Sequence, residues 1–348
     1  NGTVSAFENK ELIFTRGQNT GDQSINNMVI HQLPRVAKGW NTHGLTQKQC
    51  DAYYMNDGTD CPGKDKEINR GDGSERMSGY VTKEDVEAGR YKPLSEGVSL
   101  QYANREPRFY ASVAYNGDVW NLLNSNKNAG EPQNIQVFYY RGDGNGYTNS
   151  MFCLRTGIGV KKFEHPDDMG KGDNNEELIK KKVEPAIRYA EVLLIYAEAL
   201  NELNGQYDIP SWDGNKTHII KRDINEMKKG IRPIRIRAGV PDYTQEEYDD
   251  PIEFRKKLKR ERQIELMGEG HRYFDLRRWL DAPVEESTPI YGCNTLATNE
   301  MADVFHTPVA VPSLPTTFSR KMWFWPINHT ELKRNNRLTQ NPGWTYPE

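Results

Sequence analysis

Residues 188–203 read RYAEVLLIYAEALNEL, and this stretch decides the fold class. The apolar residues that recur at spacings of three and four are Tyr189, Leu193, Tyr196, Ala197 and Leu200. Pro185 suits the first helical position, and the pair Asn204-Gly205 is typical of a helix end. The pattern predicts a long helix with one apolar face, starting at Pro185.

A second helix is predicted to begin at residue 251. Asp250 can cap it, Pro251 fits its first turn, and Glu253 would complete a capping box. Its apolar positions run through Leu258 towards Leu266. We expect the two helices to pair as an antiparallel hairpin, separated by a short helix that breaks at Gly230. One such pair resembles a single tetratricopeptide unit, which cannot bury both of its faces.

Three regions differ in composition. Residues 1–170 form a loop-rich region with turn pairs such as Asp57-Gly58 and a strand-like run at residues 135–140. Thr46 and Thr82 each begin a short capped helix there. Residues 171–282 form the helical region, and residues 283–348 are Pro-rich and irregular, packing on the helices.

Composition excludes several classes of protein. The 348 residues carry 27% charged side chains but a formal net charge of only −3, so the chain lacks the basic field that suits nucleic acid. No apolar run reaches the length of about 18 residues that a membrane span requires. The first residues contain neither Met nor a signal peptide, which suggests a fragment or a processed chain.

The four cysteines show no spacing typical of a metal site. Cys50 and Cys61 bracket a Gly-rich loop and could form a disulfide, or all four residues could be free thiols. The sequence leaves both alternatives open.

Several segments together resemble the C-terminal region of the SusD/RagB family of outer-membrane glycan-binding lipoproteins. They are residues 188–203, RERQIEL at 260–266 with GHRYFDLRRW at 270–279, NREPRFY at 104–110, residues 156–163, and WPI at 325–327 with LTQNPG at 338–343. The blocks occur in the family's order, and the resemblance runs from about residue 47 to residue 346. The family's N-terminal helical half, with its lipidated cysteine, has no counterpart in this chain.

The resemblance implies a mainly α fold of the SusD-like α/α superhelix type: a tetratricopeptide-like helix pair with extensive irregular loops and a few short strands. It implies a non-catalytic protein exposed at the outer-membrane surface. Such a protein captures oligosaccharide or polysaccharide, or in some members peptide, for a SusC-like TonB-dependent transporter. Membrane contact would come only through a lipid anchor that is not present in this chain, and another domain would cover the outer face of the helix pair.

Sugar capture requires aromatic faces framed by polar groups on loops. Trp40 is flanked by Gly39 and polar residues without apolar periodicity, and family members place binding aromatics in this region. We therefore expect Trp40 to be an exposed platform, with Asn41 and His43 as its polar partners. Core packing for Trp40, and plain solvated positions for its partners, are the alternatives.

Further candidates for ligand contact are aromatic residues elsewhere in the loop-rich region: Tyr54, Trp120 and Tyr147. Tyr53 and Tyr54 would lie on the helix after Thr46, where adjacent residues diverge by about 100°. We expect Tyr54 to face outward and Tyr53 to be core. For Trp120 and Tyr147, packing beneath a loop is the alternative.

Two chemical alternatives remain. Glu265, Glu269, His271 and Asp275 contain a carboxylate pair of the kind that glycoside hydrolases use, but the neighbouring arginines favour ion pairing. Loops at residues 57–60 and 167–168 offer oxygen ligands for a structural calcium, although Asp-Gly clusters are more often turns. We expect no catalytic residue and no other cofactor. A glycoside hydrolase and a protein-binding tetratricopeptide scaffold stay as alternative functions.

Overall fold

A computed structural model describes residues 8–16, 25–64, 76–123, 134–148, 151–170, 179–180, 182–314 and 316–345. Helices dominate these residues, which confirms the predicted mainly α class with short strands and long loops. The α-helices are α1 (Ile25–Gln32), α2 (Gln47–Ala52), α3 (Lys83–Glu87), α4 (Pro107–Ser112), α5 (Tyr189–Asn201), α6 (Ile224–Ala238), α7 (Gln245–Asp249), α8 (Pro251–Glu265), α9 (His271–Arg278), α10 (Ala282–Glu285), α11 (Ala302–His306) and α12 (His329–Arg334).

The strands of the described residues form separate two-stranded antiparallel sheets. They are β1 (Leu12–Arg16), β2 (Val113–Ala114), β3 (Asp118–Asn121), β4 (Asn134–Val137), β5 (Gly159–Val160), β6 (Glu184–Arg188), β7 (Tyr207–Pro210), β8 (Thr217–Ile220), β9 (Tyr291–Gly292) and β10 (Val309–Ala310). β1 pairs with β6, β2 with β5, β3 with β4, β7 with β8, and β9 with β10. The strand predicted near residues 135–140 is confirmed as β4.

The start predicted for the first long helix is wrong. Pro185 lies in β6, where it is opposite Thr15 of β1, and the helix begins at Tyr189. Pairing with β1 keeps residues 184–188 extended, and the carbonyl of Glu11 accepts the N–H of Tyr189 at 2.7 Å. A distant strand therefore sets where α5 begins, which local propensity could not indicate.

The predicted break at Gly230 is also wrong, because Gly230 lies inside α6. A Cβ at this position would lie 2.5 Å from the carbonyl oxygen of Leu193 and 2.9 Å from the Cβ of Ala197. Glycine is therefore required for the close approach of α6 to α5.

α6 is the principal partner of α5, and α5 also packs against α8. Asn201 at the end of α5 donates to the carbonyl of Pro251 at the start of α8, and Arg188 just before α5 pairs with Glu265 at the end of α8. The predicted antiparallel pairing of α5 with α8 is therefore confirmed, and α6 adds a third helix.

The second predicted helix start is confirmed in α8. The Asp250 carboxylate accepts the N–H groups of Ile252 at 2.8 Å and Glu253 at 3.1 Å. Glu253 bonds Lys256 and does not complete a capping box. The short helices that follow Thr46 and Thr82 are confirmed as α2 and α3.

One apolar core connects the loop-rich region to the helices. It includes Leu45, Phe109, Leu194, Leu258 and Phe305, which come from all three regions of the sequence. The helices therefore form the scaffold on which the described loops of residues 25–64, 76–123, 134–148 and 151–170 are packed. The region boundaries at residues 170 and 282 stay predictions.

The outer face of α5 is exposed, as expected for a helix pair without further repeats. Tyr189, Val192, Ile195 and Tyr196 all present apolar surface to solvent. That another domain covers this face remains a prediction. None of the helices in the described part of the chain is long and apolar enough to cross a bilayer.

The four cysteines are buried free thiols, so the alternative of a Cys50–Cys61 disulfide is not what the structure contains. Burial raises the pKa of the Cys61 thiol to about 11. A thiol with this pKa is almost fully protonated at neutral pH and is a poor nucleophile.

Candidate functional site

A tightly closed loop carries Trp40. Leu33 and Asn41 meet at its base, where the Leu33 carbonyl accepts the N–H of Asn41 at 3.1 Å, and the Pro34 carbonyl accepts the N–H of Gly39 at 3.1 Å. A Cβ at Gly39 would lie 2.2 Å from the Leu33 oxygen, so only glycine allows this closure. The loop therefore holds Trp40 in a fixed position at the end of α1.

Trp40 is 42% exposed and belongs to an aromatic cluster. The His31 ring meets it edge to face, with centroids 4.5 Å apart, and stacks on the His43 ring with centroids 4.6 Å apart. The hydroxyl of Thr42 lies 2.7 Å from Nδ1 of His31 and fixes the orientation of that ring. We call His31, Trp40 and His43 the aromatic platform.

The aromatic platform is uncharged at neutral pH. Burial lowers the pKa of His31 below its ordinary value of 6.5. Burial, and secondarily the neighbouring His31, lowers the pKa of His43. Two imidazoles in this setting stay neutral near pH 7, so the platform offers aromatic faces without a cationic charge.

Asn41 is buried and links two loops. Its backbone has a left-handed conformation with φ of 52°, and its Nδ2 donates to the carbonyl of Asn145 at 2.7 Å. Asn41 was expected beside Trp40 as a polar contact, but its side chain points into the protein. Its position supports a structural role that joins the Trp40 loop to the loop of residues 141–147.

Tyr147 lies on that second loop, two residues after Asn145, and is 36% exposed. The loop is tightly packed, because a Cβ at Gly146 would lie 1.7 Å from the carbonyl oxygen of Tyr140. The bond between Asn41 and Asn145 brings the loops of Trp40 and Tyr147 together. Trp40, His43 and Tyr147 are therefore the predicted site residues that the structure leaves accessible on neighbouring loops.

The expectation that Tyr54 faces outward is wrong, since its exposed fraction is 0%. α2 ends at Ala52 and Tyr53 is extended, so the helical divergence of 100° does not apply to these two residues. The Tyr54 ring lies beneath the guanidinium of Arg260 at 3.7 Å, and its hydroxyl lies 2.9 Å from that of Tyr243. Tyr53 is buried, as predicted.

Trp120 is also a core residue. It lies on β3 with an exposed fraction of 1%, so its ring offers no face to a ligand. The alternative weighed for it, packing beneath a loop, is the one the structure supports. Tyr54 and Trp120 therefore leave the candidate site.

Sequence reasoning missed His31. Nothing around it in residues 25–32 distinguishes it from an ordinary helical residue. Its role depends on the loop closure that returns Trp40 and His43 to the end of α1. Two histidines flanking a tryptophan within 13 positions were the available signal.

The sequence profile of the SusD family matches residues 10–344. This chain belongs to the SusD family. A SusD-like protein from Bacteroides fragilis has a TM-score of 0.66 and 23% identity, with 97% of this chain and 55% of that chain covered. A SusD-like carbohydrate binding protein from the same species has a TM-score of 0.60 and 22% identity, with 95% and 55% covered.

At these identities the two structures show a shared SusD-like fold. This chain spans about half the length of these relatives. A comparison with curated proteins gives no match.

The carboxylates that resemble a hydrolase pair are held in ion pairs in this SusD-family chain. Glu265 bonds Arg188 at 2.7 Å and Arg108 at 3.1 Å, and Glu269 bonds Arg188 and Lys162, each at 2.6 Å. Burial alone would raise both carboxyl pKa values, but these cations outweigh it and hold each pKa below its usual range. Neither carboxyl group can store a proton for general acid catalysis near neutral pH.

The remaining two residues of that stretch are also paired. Asp275 accepts two hydrogen bonds from Arg262, both at 2.9 Å, and His271 lies 3.5 Å from the Glu191 carboxylate. The preference for ion pairing over an acid–base pair is therefore supported by the three carboxylates, Glu265, Glu269 and Asp275.

The carboxylates considered as calcium ligands are engaged by other side chains. Asp57 accepts hydrogen bonds from Thr59, Asp60 pairs with Arg260, and Asp168 pairs with Lys182 at 2.6 Å. Across the described residues, no group of three or more His, Cys, Asp or Glu side chains is placed to hold a metal ion.

Proposed function

We propose that this chain binds a glycan on the aromatic platform without catalysing its hydrolysis. The observation that carries the proposal is the exposed Trp40 ring, fixed edge to face against the neutral imidazole of His31. A rigid aromatic face loses little conformational entropy on binding, so it suits the flat C–H face of a sugar ring.

Polar groups frame this face as sugar hydroxyls require. The ring nitrogens of His43 and the hydroxyl of Tyr147 lie on the two loops that meet at Asn41. Neutral imidazoles and hydroxyls both donate and accept hydrogen bonds. Ala37 and Tyr140 tie the two loops to the apolar core, so the site is largely formed before ligand arrives.

Membership of the SusD family supports the same function. One structural relative carries the description of a SusD-like carbohydrate binding protein. The ion pairs of Glu265 and Glu269 support a binding role over hydrolysis, because those carboxylates are already engaged with cations.

The partner and location belong to this proposal as well. We infer that the protein acts at the surface of the outer membrane, held by a lipid anchor, and delivers its cargo to a SusC-like TonB-dependent transporter. Family membership supports this inference. Co-purification of the transporter with the tagged protein from solubilised outer membranes tests it, and recovery without any transporter would contradict it.

Affinity electrophoresis against a panel of soluble polysaccharides tests glycan binding. We expect at least one polysaccharide to retard the protein and no release of reducing sugar after prolonged incubation with it. Unretarded migration through every gel would contradict the binding proposal. Release of reducing ends would contradict the absence of catalysis.

A further inference from the structure

Three exposed arginines without acidic partners lie on or next to the segments that form the candidate site. Arg35 precedes Trp40 in the same closed loop, Arg141 begins the loop of Tyr147, and Arg155 is next to Thr156, which contacts Gly44. Among the described residues, no carboxylate lies within ion-pair distance of these three guanidinium groups.

Exposed arginines in the helical region behave differently. Arg255 pairs with Glu202, and Arg278 pairs with Glu198. These two cations are neutralised within the chain, whereas no described carboxylate neutralises Arg35, Arg141 or Arg155. The site therefore carries a local positive potential although the whole chain is slightly acidic.

Arg35 is the best placed of the three. Its guanidinium lies over the Phe152 ring, 4.7 Å from the ring centroid. This contact positions the guanidinium, whose N–H groups donate to no other side chain among the described residues. A stacked guanidinium is a fixed fork that matches the two oxygens of a carboxylate or sulfate group.

Arg35 and Trp40 belong to the same closed loop. The Arg35 carbonyl accepts the N–H of Lys38 at 2.8 Å, and the chain then turns through Gly39 to reach Trp40. The N–H of Val36 donates to Oδ1 of Asn145 at 3.4 Å, which holds Arg35 beside the loop of Tyr147. One glycan chain bound along this loop would therefore meet both the aromatic ring of Trp40 and the guanidinium of Arg35.

We propose that the glycan is anionic, with a sugar ring stacked on Trp40 and a uronate carboxylate or sulfate ester bound by Arg35. This inference rests on the proposed glycan-binding function and names its substrate class. Arg141 and Arg155 add attraction for neighbouring anionic units of the chain. Asp143 is the opposing charge in the second loop, where burial raises the pKa of its carboxyl group.

Affinity electrophoresis with paired polysaccharides tests the inference. Polygalacturonate and its fully methyl-esterified form differ in carboxylates, and carrageenan and agarose differ in sulfates. We expect stronger retardation by an anionic member than by its neutral counterpart, and weaker retardation at higher salt. The pair that responds identifies which of the two anionic groups is bound.

Arg35→Gln is the decisive variant, and Arg337→Gln is its control. Arg337 is exposed on the C-terminal segment and also lacks an acidic partner among the described residues. We expect Arg35→Gln to weaken binding of the anionic polysaccharide by about tenfold, the equivalent of one charged hydrogen-bonding pair. Arg337→Gln should bind as the unmodified protein does.

The outcomes separate this inference from the proposed function. Binding of neutral polysaccharides only, lost in Trp40→Ala and unchanged in Arg35→Gln, would overturn the anionic assignment and leave the proposed function intact. An equal loss in Arg35→Gln and Arg337→Gln would overturn a specific role for Arg35. Failure to bind any neutral or anionic polysaccharide would overturn both proposals.

Discussion

The imidazole rings of His31 and His43 stack with an interplanar angle of 11° and a centroid separation of 4.6 Å. This geometry becomes unfavourable when both rings are protonated, because two imidazolium groups at this distance would repel. The orientation of the Trp40 ring depends on the same histidine pair, since the His31 ring meets the Trp40 ring at an interplanar angle of 79°. The protonation state of two histidines thus bears on the exposed tryptophan.

The stability of the protein should fall as the pH decreases from 7.5 to 5. Both histidines have folded-state pKa values lowered from 6.5, so the unfolded chain binds more protons in the window below pH 6.5. Their contribution to stability is present above that window and is lost as the pH falls through it. Thermal unfolding at several pH values measures this effect.

The control for this pH dependence is His43→Gln, which keeps a polar side chain but cannot become an imidazolium. It should show a smaller loss of stability between pH 7.5 and 5 than the unmodified protein. NMR titration of the ring protons gives the pKa values directly. Values at or above 6.5 for both histidines would contradict the proposed neutral platform.

Gly230→Ala should destabilise the contact between α5 and α6. A Cβ would lie 2.5 Å from the Leu193 carbonyl oxygen, so the helices must separate. Overpacking of this kind costs about 1–3 kcal/mol, measured as the free energy of unfolding in urea. Gly205→Ala is the matched control, because its Cβ would have no neighbour closer than 4.0 Å. Equal stability of the two variants would contradict the close approach.

Glu265→Gln should destabilise the protein strongly. It removes the negative charge that Arg188, Arg108 and Arg237 share in a buried setting. Loss of one partner from a buried ion pair costs about 3–5 kcal/mol, because the remaining charges lose their compensation.

Urea unfolding of Glu331→Gln provides the comparison. Its ion pair with Arg334 is solvent-exposed, so we expect a change of less than about 1 kcal/mol. Glu265→Gln should therefore be much the less stable variant, without gain or loss of hydrolytic activity. A Glu265→Gln protein of normal stability would contradict the ion-pair role.

Local sequence patterns predicted the parts of the fold that depend on local interactions. The capping of α8 by Asp250 and of α2 by Thr46 involves residues within three positions along the chain, and both helix starts are confirmed. The start of α5 and the continuation of α6 past Gly230 depend on β1 and on Leu193, which are distant in sequence. Local propensity contains no information about those partners.

The residues of the candidate site also divide into those that local sequence predicted and those that depend on distant contacts. Trp40 was correctly expected to be exposed, because Gly39 and polar residues surround it in sequence. Tyr54 was placed outside on the assumption that α2 continues, whereas the chain turns inward to the guanidinium of Arg260. His31 and Arg35 join the site only through closure of the loop that ends at Asn41. Membership of the SusD family was identified from ordered sequence blocks, which do not depend on these contacts.

Affinity electrophoresis of Trp40→Ala beside Trp212→Ala tests the central claim most directly. Both variants remove an exposed tryptophan, since Trp212 is 99% exposed between β7 and β8, but only Trp40 belongs to the aromatic platform. We expect Trp40→Ala to lose at least about tenfold in affinity for the polysaccharide that retards the unmodified protein, as truncation of a central aromatic contact does. Trp212→Ala should be retarded normally. Undiminished retardation of Trp40→Ala would contradict the assignment of the glycan site to the platform.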